Sequence, residues 1–162
     1  PPVATIIERL TAFPRLVLVN GNKIAREAGS GRAQNMVMLG AAAPYLPLER
    51  ALMEEFIGVL FAKKGEKMIQ TNLNAFRFGL ANGQFFTNAM EVKADPIRVA
   101  AVMDRLESET LAPEAAGPWA RVIDSDRWAP MHAWWEGQTK LRIPGDVATA
   151  ERVLAEGFEF LT

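Results

Sequence analysis

The chain has 162 residues and a mass of 17.8 kDa, enough for one domain or one domain with an appendage. Its 18 basic and 19 acidic side chains nearly cancel, which removes any global field that would draw it to nucleic acid or an anionic membrane. The absence of cysteine excludes disulfides, thiolate nucleophiles and any thiolate-held iron–sulfur cluster on this chain, and it fits a reducing compartment.

No apolar run approaches the roughly 18 residues of a membrane span, and no charged-then-apolar signal opens the chain. A soluble, cytoplasmic protein is expected. The first residues are Pro1 and Pro2 rather than methionine, which leaves open a processed product or a piece of something longer.

Val3, Ile6, Ile7, Leu10 and Phe13 share one face of a first helix, which Pro14 closes. Residues 15–20 are a short apolar run bounded by Pro14 and Asn20-Gly21, and they read as a strand buried on both faces. Residues 22–28 predict a short helix ending at Gly29. Helix, strand and helix in that order form the unit of a parallel α/β layer. Partners for the strand are scarce: residues 90–93, 121–124 and 139–143 are candidates, but none follows a βαβ rhythm. The favoured reading is a chain that begins partway through a sheet domain.

The segment from Gly31 to Pro44 is the one the rest of the chain is expected to pack around. From Met36 to Ala43 it carries no charged or strongly polar group, so a helix there is apolar around its whole circumference. Gly40, Ala41, Ala42 and Ala43 leave its last turn almost without side chains, which allows neighbouring backbones to come close. Pro44 then stops it.

Pro47 suits the first residue of the next helix. Leu48, Leu52, Glu55, Phe56, Val59 and Leu60 then alternate faces at helical spacing, with Glu49, Arg50 and Glu54 expected outward, an ordinary amphipathic helix. Lys63-Lys64-Gly65 ends that helix. Ile69, Leu73, Phe76 and Leu80 mark another, expected to fade at Asn82-Gly83, and the short connections make these helices antiparallel neighbours. Asp95-Pro96 is a cap and first-turn pair ahead of Val99, Val102, Met103 and Leu106. Residues 112–118, with two prolines and a glycine, read as a linker or exposed loop. Beyond Pro144-Gly145-Asp146 a last amphipathic helix is expected through Val147, Ala150, Val153, Leu154, Phe158 and Leu161.

No constellation of nucleophile, base and oxyanion site is visible. His132 is the only histidine and has no second histidine or cysteine with which to share a metal, so a structural role outweighs a catalytic one. Gly29-Ser30-Gly31 ahead of a helix resembles an anion-binding turn but lacks the spacing of either glycine-rich phosphate motif. Asp124, Asp126 and Glu136 show neither a metal-loop pattern nor an acid–base pair. No catalytic, cofactor-binding or metal-binding residue is therefore assigned. The segment from Trp119 to Glu136 holds all four tryptophans. Trp134 and Trp135 cannot both face one side of a regular element, so core packing and docking on another chain are both open. Trp128, Trp134 and Trp135 are the candidate partner interface.

Asn35-Met-Val-Met-Leu-Gly-Ala41, Leu46-Pro-Leu-Glu49, Phe61-Ala-Lys-Lys-Gly-Glu-Lys67 and Asn72-Leu-Asn-Ala-Phe-Arg-Phe-Gly79 occur in that order. In them the chain resembles the gamma subunit or domain of 2-oxoacid:ferredoxin oxidoreductases, with the closest flavour the indolepyruvate and aryl-2-oxoacid type. The resemblance covers roughly residues 1–83, and its motifs are modest individually. It implies an α/β fold, with residues 1–83 the helix-rich second half of a Rossmann-like gamma domain. Residues 84–162 extend past the resemblance and are read as a mostly helical extension that docks partner subunits, anchored by the tryptophan cluster. The resemblance places the family's glycine-rich turn upstream of Pro1, so no phosphate-loop residue carries over.

The resemblance further implies a noncatalytic gamma subunit in a hetero-oligomer with catalytic subunits. Thiamine diphosphate, iron–sulfur clusters and coenzyme A would be in the complex rather than on this chain, which would support oxidative decarboxylation of a 2-oxoacid. Two alternatives remain: a helical protein-interaction module sharing only the fold, and a small-ligand binder using the Gly29–Gly31 turn.

Overall fold

The computed structural model describes residues 2–124 and 128–137 and, beyond them, Gly145, Asp146, Ala148, Arg152 and Ala155. Among the described residues the regular structure is helical: α1 (Val3–Leu10), α2 (Gly21–Glu27), α3 (Gln34–Ala42), α4 (Arg50–Phe61), α5 (Glu66–Glu91), α6 (Pro96–Met103), α7 (Ala116–Ile123) and α8 (Trp128–Gly137). Single 3-10 turns lead into α3 and α7 and follow α3 and α4.

Among the described residues the expected helical content is present and the sheet is not. No strand forms at residues 15–20, where Leu16, Val17, Leu18 and Val19 run half-buried without regular structure. A strand exists only through a ladder with a neighbour. Two of the candidate neighbours are helical instead: Met90 and Glu91 end α5, and residues 121–123 lie in α7. The third, 139–143, lies outside the described residues, as does most of the expected tail helix.

The chain divides into two units, Val17–Gln84 and the pair of segments Pro1–Leu16 and Phe85–Thr162. In the first, Asn20 caps α2 by accepting the Lys23 N–H at 3.1 Å, and Gly29, with φ of +107°, ends the following turn. Ile24, Ala25 and Ala28 pack with Ala33, Val37 and Ala75, and Val19 covers this cluster. A second cluster joins Ala43 to Met53 and Ile57 of α4 and Phe76 and Leu80 of α5.

The contact between α3 and α5 is made backbone to backbone. A Cβ at Gly40 would stand 1.9 Å from the Phe76 carbonyl oxygen, and one at Gly79 would stand 2.1 Å from the Val37 carbonyl oxygen. Gly83 continues the seam, 3.1 Å from the Ala41 Cα by the same measure. The close approach expected at Gly40 is therefore present. The expected burial of α3 on every side is not, because Met38 is 53% exposed and Ala42 is also exposed.

Two helix boundaries differ from expectation. The helix after Pro47 begins at Arg50, since residues 46–48 form a bend. The helix expected to fade at Asn82-Gly83 runs on to Glu91, 26 residues in all. Gly83 is a point of contact with Ala41 rather than a stop, and the buried Asn82 side chain donates to the Phe78 carbonyl at 2.9 Å, back along its own helix.

In the other unit, the Asp95 carboxylate accepts the Arg98 N–H at 2.8 Å and starts α6, whose Val99, Val102 and Met103 are buried, as is Leu106 just past its end. The Arg98 guanidinium in turn donates to the Ile123 carbonyl at 2.9 Å, meeting the negative end of α7. Residues 112–118 are not a free loop. Pro113 starts a 3-10 turn that feeds α7, Ala115 and Ala116 are buried, and the Asn88 amide donates to the Pro113 carbonyl at 3.1 Å.

Candidate partner interface

Helix α4 carries apolar residues on two faces. Met53 and Ile57 are buried at 6% and 3% exposure, and Phe61 is half-buried beside the second core cluster. Leu52, Phe56, Val59 and Leu60 are centred about 115° around the helix from them at 3.6 residues per turn. They are exposed at 41%, 61%, 67% and 66%.

Beside the buried face, Glu54 forms a knot of charge. Its Oε1 accepts from Arg50 Nε at 2.8 Å, and its Oε2 accepts from Arg77 on α5, at 2.6 Å from the terminal nitrogen and 3.2 Å from Nε. The Arg77 hydrogen bond, aided by Arg50, holds the Glu54 carboxyl below its ordinary value although burial pushes the other way; Arg77 is raised in return. Glu54, expected to point outward, ties α4 to α5. Leu52, Phe56, Val59 and Leu60 are turned to the surface. The i,i+4 pair Arg50 and Glu54 is visible in the sequence, but nothing near it announces Arg77, 23 residues on.

The sequence-expected interface residues sit differently. Trp128 and Trp134 on α8 are half-buried, and the Trp135 side chain lies outside the described residues. Trp119 belongs to the core at 1% exposure, with an indole N–H that meets no acceptor among the described residues. Asp126 and the side chains of His132 and Glu136 also lie outside the description, while Asp124 is exposed. The Gly29–Gly31 turn is a helix entry: the Ser30 hydroxyl accepts the Arg32 N–H at 3.3 Å.

Among the described residues no three histidine, aspartate or glutamate side chains gather as a metal site, and no helix is long and apolar enough to cross a membrane. With no cysteine, the chain offers no thiolate to an iron–sulfur cluster. Helix α4 presents an exposed apolar face flanked by charge.

A family model described as pyruvate ferredoxin/flavodoxin oxidoreductase matches residues 1–82. No curated protein and no solved structure matches the chain.

Proposed function

With just over half of its length matched, the chain belongs to the pyruvate ferredoxin/flavodoxin oxidoreductase family, and we propose that it acts there as a noncatalytic gamma-type subunit or part of one. The enzyme it serves is a thiamine-diphosphate-dependent 2-oxoacid:acceptor oxidoreductase of the indolepyruvate or aryl-2-oxoacid type, forming an acyl-CoA in the cytoplasm. Complexes of this family use thiamine diphosphate and iron–sulfur clusters. A cysteine-free chain leaves the clusters to its partners, and thiamine diphosphate and coenzyme A are assigned to them as well.

The observation that carries the reading is the family match over residues 1–82, the stretch that holds the α3–α5 glycine crossing. The tryptophans of α8, Trp128 and Trp134, together with Trp135, are assigned to contacts with the catalytic subunits.

Gentle purification from the native source followed by native mass spectrometry tests the proposal. The expected result is co-purification with larger chains that carry thiamine diphosphate and iron–sulfur clusters. Recovery of the chain alone, colourless and free of such partners, overturns it.

A further inference from the structure

We propose that the exposed apolar face of α4 pairs with the same face of a second copy of this chain, the two helices running antiparallel about a two-fold axis at Phe56. This rests on α4 alone and is independent of the oxidoreductase reading.

Three observations carry it. The first is charge order. The exposed acidic residues Glu49 and Glu55 lie on the N-terminal side of Phe56, where the exposed Arg50 is paired with Glu54, and the exposed basic residues Lys63 and Lys64 lie just past the C-terminal end. An antiparallel copy sets the acidic end of each helix against the basic end of the other, whereas a parallel copy sets like against like.

The second is register. With Phe56 on the axis, residues equally distant from it meet, so Leu52 faces Leu60 of the second copy and Glu49 faces its Lys63. Leucines meet in the middle and opposite charges meet at both ends, while Leu48 falls opposite the aliphatic stem of Lys64. The pairing is isologous, as a two-fold requires.

The third is area. At the exposures given above, Leu52, Phe56, Val59 and Leu60 present on the order of 500 Å² of surface per copy, and Leu48, 54% exposed at the approach to the helix, adds about 100 Å². Two copies with the flanking charged stems therefore cover roughly 1,200 Å², the lower end of specific interfaces. That size points to a reversible dimer whose population follows concentration. Glu54 does not compete for the second copy because Arg50 and Arg77 already hold it.

Sedimentation equilibrium of the full chain over a concentration series tests the pairing. The wild type is expected to show monomer and dimer in exchange, with Phe56→Glu weakening association at least tenfold. Because Phe56 is 61% exposed, this variant is expected to keep the wild-type far-UV circular dichroism spectrum. Charge reversal supplies the decisive comparison. Glu49→Lys and Lys63→Glu are each expected to weaken the dimer, while the double variant, which swaps the two ends, recovers it.

A monodisperse monomer at every concentration overturns the proposal and leaves the face to a different chain. A dimer indifferent to Phe56→Glu overturns it as well, by placing the interface elsewhere, and a double reversal no better than the single ones removes the antiparallel register.

Discussion

Replacing Gly40 by alanine would place a methyl carbon 1.9 Å from the Phe76 carbonyl oxygen, 2.8 Å from its carbon and 2.9 Å from the Leu80 nitrogen. All three are backbone atoms of α5, so no rotamer change relieves the clash. The helices must part by roughly 1 Å or more to reach ordinary contact distances, in an interior packed about as densely as an organic crystal. A gap of that size forfeits a quarter to a half of each dispersion contact along the seam. Val37 and Phe76, both at 0% exposure, lose most.

Overpacking of this kind costs about 1–3 kcal/mol, with the rigid backbone on both sides arguing for the upper end. Against it stands the helix preference of alanine over glycine, worth about 1 kcal/mol. The net expectation is a loss of about 2 kcal/mol. With a urea slope of about 2 kcal/mol/M for a chain of this size, the midpoint followed by far-UV circular dichroism at 25 °C should fall by about 1 M. A midpoint equal to or above the wild type would refute the backbone-to-backbone crossing.

Gly58→Ala provides the opposite sign: nothing lies within 4 Å of a Cβ there, so the same assay should show a gain of about 0.5–1 kcal/mol. Gly79→Ala added to Gly40→Ala should cost less than the sum of the two, because one separation of the helices accommodates both methyls; an additive pair would mean that the two glycines act in separate contacts. Glu54→Gln should cost about 0.5–1 kcal/mol at neutral pH, the range of a partly exposed ion pair. The folded-state pKa of Glu54 lies below its ordinary 4.5, so its contribution is present above that value and fades as the pH falls through the lowered one. Wild type and Glu54→Gln should therefore converge in urea midpoint in strong acid, and a constant gap between them would contradict the assignment. Asn20→Ala removes the α2 cap and should lower stability by about 1 kcal/mol, read from the same denaturation curves.

What could be read from the sequence was what short-range chemistry decides. Asp95 caps α6 and Gly29 and Gly65 take positive φ, because caps and left-handed turns depend on a few adjacent residues. The small residues of α3 announced a close neighbour, although not which one. The apolar run at 15–20 looked like a strand because residue preference registers an apolar, β-favouring run, while a strand also needs a second chain segment to pair with. Asn82-Gly83 looked like a helix end by local preference, but packing against Ala41 needs a residue without a side chain there, and tertiary contact overrode propensity. The face of α4 was ambiguous because its apolar residues repeat on two sides. What turns one side inward is remote in sequence: the α5 residues Phe76 and Leu80 that pack on Met53 and Ile57, and Arg77, which holds Glu54. The tryptophans that cluster in sequence differ in burial, Trp119 entering the core while Trp128 and Trp134 stay half-buried.

The glycine crossing also imposes a sequence of events in time. Its contacts join backbone atoms of two helices and exist only once both segments are coiled. Helix formation takes well under a microsecond per segment, whereas bringing Gly40 to Gly79 closes a loop of roughly forty residues that contains α4. The crossing is therefore expected to seat only after both helices have formed and the loop between them has closed. Damage to it is felt on the way out of the native state, in faster unfolding, far more than in slower folding.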